Sequence, residues 1–139
     1  MDQEKKRKYA EFKSFVTYVD ILTFALALTN KEHFYAHPDK WHEAVYDICQ
    51  RYREQIPELR RIYFTYREPL PPQSEQVDRL IKILSMSREI ALPNPRYPTI
   101  DMDKEKKKNI KKRDAKRLAR YSQEIEAISG ILQKAVSVA

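Results

Sequence analysis

Residues 104–135 read KEKKKNIKKRDAKRLARYSQEIEAISGILQKA, and the spacing of apolar side chains in this stretch sets the fold class. Leu118, Tyr121, Ile125, Ile128, Leu132 and Ala135 recur every three and four residues, the seam of an amphipathic helix that packs against other helices. Carried backwards in the same register, the seam meets Asp114, Lys111 and Lys107, so the core-facing stripe is expected to end near Leu118. The reading is one long fourth helix over 103–138. Its second half builds the core, and its basic half-helix, 104–120, is free to project from the bundle.

Three earlier segments carry helical stripes of their own. Over 5–29, Phe12, Phe15, Val16, Val19, Leu22 and Leu26 share a face, while Ile21, Phe24 and Leu28 make the last turns apolar all round. Over 38–67, Trp41, Val45, Ile48, Tyr52, Leu59, Ile62 and Tyr66 hold one register across Pro57, with Gln55 the polar exception; this predicts a single helix kinked at the proline. Over 74–91, Ser74 is placed to cap a helix displaying Val77, Leu80, Ile81, Leu84 and Ile90. Pro38, the run Pro69-Leu70-Pro71-Pro72 and the trio Pro93, Pro95 and Pro98 separate the segments.

The 139 residues contain one glycine, Gly130, which leaves no room for glycine-rich phosphate loops or dinucleotide-binding fingerprints. Length and composition point to one all-α domain, 1–139, folded as an up-down-up-down antiparallel four-helix bundle. In that topology the loop between helices one and two, the loop between helices three and four and the start of helix four all fall at one end. The lone Cys49 excludes an internal disulfide and favours a reducing, cytoplasmic setting. The apolar run Phe15–Leu28 spans 14 residues and contains Asp20; it is too short to cross a bilayer and lacks a cleavage site after it.

Charge is distributed unevenly. The basic residues Lys104, Lys106, Lys107, Lys108, Lys111, Lys112, Arg113, Lys116, Arg117 and Arg120 face only two acids in the same stretch, a local charge of +8, while the remainder of the chain carries −1. Clustered cations release counterions when they meet phosphates, so this stretch is the candidate nucleic-acid or polyanion surface. A solvated, solubilising helix start is the plain alternative, and lysine is a poorer phosphate clamp than arginine. A second mixture of arginines and aromatics runs over Arg51-Tyr52-Arg53 and Arg60–Arg67; Tyr52, Ile62 and Tyr66 are assigned to the core there, leaving Tyr63 and Phe64 for a surface.

Other chemistry is thinly represented. His33, His37 and His42 are the only histidines and would be the ligands of a metal site, but ordinary loop and cap positions explain them better, so no metal or other cofactor is expected. Cys49 is expected to be a buried, inert thiol, Ser85 and Ser87 lie mid-helix, and no catalytic constellation emerges. Asp20 is read as a cross-bundle salt bridge or as an exposed edge. The expectation is a non-enzymatic binding module for nucleic acid or a nucleoprotein assembly, with two rivals: a protein-binding or homodimeric bundle docking through Ile21, Phe24 and Leu28, and a metal-binding bundle.

Overall fold

In the computed structural model, which describes residues 16–86 and 99–138, the chain is mostly helical with a small two-stranded sheet. Five α-helices are present among the described residues: α1 (Tyr18–Leu28), α2 (Pro38–Tyr52), α3 (Glu75–Met86), α4 (Lys104–Asp114) and α5 (Ser122–Val136). Strands β1 (His33–Tyr35) and β2 (Thr99–Asp101) pair antiparallel, with Phe34 opposite Ile100.

The first segment does not hold one helix over 5–29. A capping box starts α1 at Tyr18: the Thr17 hydroxyl accepts the Asp20 N–H at 3.3 Å, and the Asp20 carboxylate accepts the Thr17 N–H at 3.0 Å. The expected turns before Val16, with Phe12 and Phe15, lie outside the described residues. α1 is apolar all round because it lies between α4 and α5, and Ile21, Leu22, Ala25 and Leu26 have no exposed surface. Ile21 and Phe24 are therefore core residues, with Leu28 packed half-buried against them, and the surface proposed for a second chain is covered by the molecule's own later helices.

Nor is the second segment a kinked helix. Pro57 offers no N–H and its ring crowds the carbonyl four residues back, so α2 stops at Tyr52 and the chain re-forms as a short 3-10 helix, Pro57–Arg61. Leu59 and Ile62 remain buried, but beyond them the chain is extended and Tyr66 is exposed. Ser74 caps α3 as its position suggests, its hydroxyl accepting the Val77 N–H at 3.3 Å; the expected extension to 91 and Ile90 fall outside the described residues.

The largest departure concerns the fourth segment. After α4 the chain turns through Ala115–Leu118 and a 3-10 turn, Ala119–Tyr121, then α5 runs back. Its direction is fixed at both ends. Lys107 reaches the end of α1 at Thr29, Arg117 reaches the start of α1 at Asp20, and Ser137, past the end of α5, bridges to Phe34 of β1. The two halves expected to join end to end thus reverse direction and both pack on α1. The basic half does not project, because Lys107, Ile110 and Asp114 are buried against α1.

Sheet, start of α4 and end of α1 together form one end of the molecule, called the sheet end below. Trp41, fully buried, ties α2 to it by donating its indole N–H to the Tyr35 carbonyl at 2.6 Å. No helix among the described residues is long and apolar enough to cross a membrane.

Gly130 lies inside α5, exposed, and a Cβ built on it meets nothing within 4 Å; its φ is not positive. Gly130→Ala is expected to raise the unfolding free energy by about 0.5–1 kcal/mol, read as a higher denaturation midpoint at unchanged slope. A loss of stability would mean that something covers this face of α5.

Candidate nucleic-acid interface

Helix α4 is capped by Asp103, whose carboxylate accepts the Lys106 N–H at 2.8 Å, and Glu105 follows in its first turn. These two acids offset the cost of starting a helix with lysines against its own dipole. Positions 104, 107 and 111 then share one face at three- and four-residue spacing. That face meets the loop between α1 and β1 across an open groove of about 600 Å³ lined by Lys31, His33, Lys104, Lys107 and Lys111, with Glu32 as its one acid. Beside the groove, Lys108, Lys112 and Lys116 follow at four-residue spacing as exposed side chains.

The ten basic residues singled out in the sequence divide by what they touch. Lys104, Lys108, Lys111, Lys112 and Lys116 are exposed. Lys106 is half-buried, and partial burial draws its ammonium below the usual lysine value while Asp103 draws it back. Lys107 is a structural residue: only 6 % exposed, its Nζ donates to the Thr29 carbonyl at 2.8 Å and also reaches the Lys31 carbonyl. It thereby closes the C-terminal end of α1, where a cation meets both orphan carbonyls and the negative end of the dipole. Burial lowers its pKa, Glu32 opposes that shift and Lys111 adds to it.

The three arginines are engaged in ion pairs within the fold, Arg117 half-buried and Arg113 and Arg120 exposed. Arg113 and Arg117 both donate to the buried Asp114 carboxylate, Arg117 at 2.7 Å, and Arg117 also reaches Asp20 at 3.4 Å. Asp20 is thus both a helix cap and one partner of a bridge across the fold. Arg120 binds Glu58 at 3.0 Å and lies over the Tyr121 ring. Among the described residues, the cationic surface without an ion-pair partner is accordingly lysine, and it gains Lys31, which local charge density had not assigned to it, with the His33 ring beside it on the groove. The signal that could have found them was topological, since the loop holding both was expected at the same end as the start of helix four.

The histidines are distributed to three different tasks. His33 pairs across the strands with Asp101, Nδ1 to Oδ1 at 2.9 Å, and Asp101 also accepts the Thr99 hydroxyl. His37 stands at the start of α2. His42 is fully buried: its Nδ1 accepts the Ser74 backbone N–H at 2.8 Å, which leaves the ring proton on Nε2, 2.7 Å from Asp78. Among the described residues no group of His, Cys, Asp and Glu is arranged to hold a metal ion.

Comparison with known proteins gives no match among family models, curated proteins or solved structures.

Ser74, His42 and Asp78 are the residue types of a hydrolytic triad, but Ser74 presents its backbone N–H to the ring. Its hydroxyl instead donates to Gln76 and caps α3, so no nucleophile is activated there. Cys49 is buried, and desolvation pushes its thiol up to about 12 against the pull of Arg53, far from a reactive thiolate. The sheet-end groove offers cations held at fixed spacing around an open trough.

Proposed function

We propose that this protein is a non-enzymatic module that binds nucleic acid through the sheet-end groove and the lysine ridge beside it. The observation that carries the reading is the convergence of Lys31, from the α1–β1 loop, and His33, the first residue of β1, on Lys104 and Lys111 of α4 across a groove with a single acid. A merely solubilising helix start would not need a second chain segment to bring cations to its face. Two nearby acids are already committed, Asp103 to capping α4 and Asp101 to His33, so they oppose an incoming phosphate less than their number suggests. Lysines bind as point charges rather than bidentate clamps, which favours backbone contact over base readout and hence weak sequence preference. A buried, inert Cys49 suits a chain working in a reducing cytoplasm.

The test is the salt dependence of binding. Affinity for generic duplex is expected to fall steeply from about 50 to about 200 mM salt. Replacing Lys104, Lys108, Lys111 and Lys112 together by glutamine should flatten the logarithmic salt slope by about three to four, since each phosphate contact contributes about 0.9. Lys107 is left intact, because its ammonium closes α1 and its loss would confound binding with folding. Absence of binding at low salt, or a slope the four substitutions leave untouched, overturns the reading.

A further inference from the structure

Beyond Ile62 the chain is no longer helical and reaches a bridge between Thr65 and Gln73, with Thr65, Tyr66 and Arg67 exposed in succession. Ile62 points inward. Tyr63 is 69 % exposed, Phe64 is half-buried, and Tyr66 is 63 % exposed. Two features hold this run against the fold. The Tyr63 N–H donates to Gln76 Oε1 at 2.9 Å, and Tyr46 of α2 packs edge-to-face against both Phe64, at 5.2 Å, and Tyr66, at 6.1 Å.

Arg53 and Arg60 join Tyr63, Phe64 and Tyr66 around a cleft of about 220 Å³, with Cys49 on its wall. Arg60 is held there by Glu54 at 3.0 Å and by the Arg53 carbonyl, and Arg67 is exposed just past Tyr66. Scattered exposed tyrosines are ordinary on a protein surface. Tyr66 braced by Tyr46, and Tyr63 exposed beside the same cleft bordered by Arg53 and Arg60, form the combination that accepts unpaired bases: aromatic faces for stacking and cations for the backbone.

We infer that the Tyr63–Tyr66 platform stacks the bases of single-stranded nucleic acid, giving this protein a preference for unpaired strands over duplex. The inference rests on the nucleic-acid reading above and adds a second surface to it. The lysine ridge supplies charge that any strand satisfies. The platform supplies contacts that a duplex, whose bases are already stacked on one another, cannot make.

The experiment measures binding of the full chain to polyuridylate and to a mixed-sequence duplex, comparing wild type, Tyr63→Ala/Tyr66→Ala, Tyr63→Phe/Tyr66→Phe and the four-lysine variant. The double alanine variant is expected to bind polyuridylate about tenfold or more weakly, with duplex affinity and salt slope unchanged, while the phenylalanine variant keeps wild-type affinity. Ultraviolet crosslinking of polyuridylate to the peptide that contains 62–67 should accompany wild-type binding. Single-strand affinity unchanged by the alanine pair, while the lysine variant loses it, overturns the platform and leaves the lysine reading standing. Equal losses on both ligands in the alanine variant also overturn it, because stacking of unpaired bases would not weaken duplex binding. If wild type binds neither ligand, the lysine reading and the platform fail together.

Discussion

Arg117→Leu is expected to lower the unfolding free energy by about 3 kcal/mol, at the lower end of what breaking a buried ion pair costs. Asp114 is 1 % exposed and accepts from two guanidinium groups; removing Arg117 leaves its carboxylate to Arg113 alone and cuts the link from the end of α4 to Asp20 at the start of α1. Because Arg113 remains, the loss stays below that of a fully orphaned charge. The double variant Arg117→Leu/Asp114→Leu is expected to be more stable than the single one, since the buried charge is removed with its partner. Denaturant unfolding of the two variants decides the matter. A single substitution costing less than about 1 kcal/mol would mean the group behaves as an exposed surface pair.

The same residues show where sequence reading stopped. Counting the seam of α5 backwards gave Asp114, Lys111 and Lys107, and polar side chains at core positions were taken to mark the end of the core. Two of the three are buried all the same. Burying a charge is costly only without partners: Lys107 finds them far away in the chain, at Thr29 and Lys31, while Asp114 finds them close by, in Arg113 and in an Arg117 that is also tied to distant Asp20. No local window contains both halves of the Lys107 pairing or of the Arg117–Asp20 link. The reversal between α4 and α5 was hidden for a related reason. Residues 115–121 contain neither glycine nor proline and read as good helix formers, so their turn is set by packing on α1 and not by propensity.

What could be read locally was read well where a side chain acts on its own neighbourhood. Ser74 as a cap and Cys49 as a buried thiol both follow from nearby sequence, as does the grouping of the α1–β1 loop with the start of α4 once helices are joined by short connections. Tyr66 was misassigned because one apolar register was carried through Pro57. A proline that ends a helix frees the next residues from the 3.6-residue period, and beyond it Tyr63 and Tyr66 are both exposed. Strands of three residues are too short to show an alternating pattern, so β1 and β2 left no signal.

His42 should prove to be a latch between α2 and α3, and its replacement by leucine should cost about 2–4 kcal/mol. Leucine fills most of the ring's space but leaves the Ser74 N–H, on a residue 3 % exposed, without an acceptor, and removes the Nε2–H donated to Asp78. The first loss is the heavier one, because Asp78 is largely exposed and water can replace the ring, whereas nothing replaces an acceptor inside the core. His42→Asn places an oxygen near the Nδ1 position and is expected to recover part of the stability by accepting from Ser74. His42→Gln, which reaches only towards Asp78, should recover less. Ser74 begins the capping of α3, and α3 packs against β2, which leads directly into α4 and the basic groove. Hydrogen exchange in α3 is therefore expected to rise in His42→Leu before that of α1 or α5, with the groove's affinity for nucleic acid falling in step. Equal protection of α3 in the leucine variant and wild type would show that the histidine merely fills space, and the order asparagine above glutamine would then lose its basis.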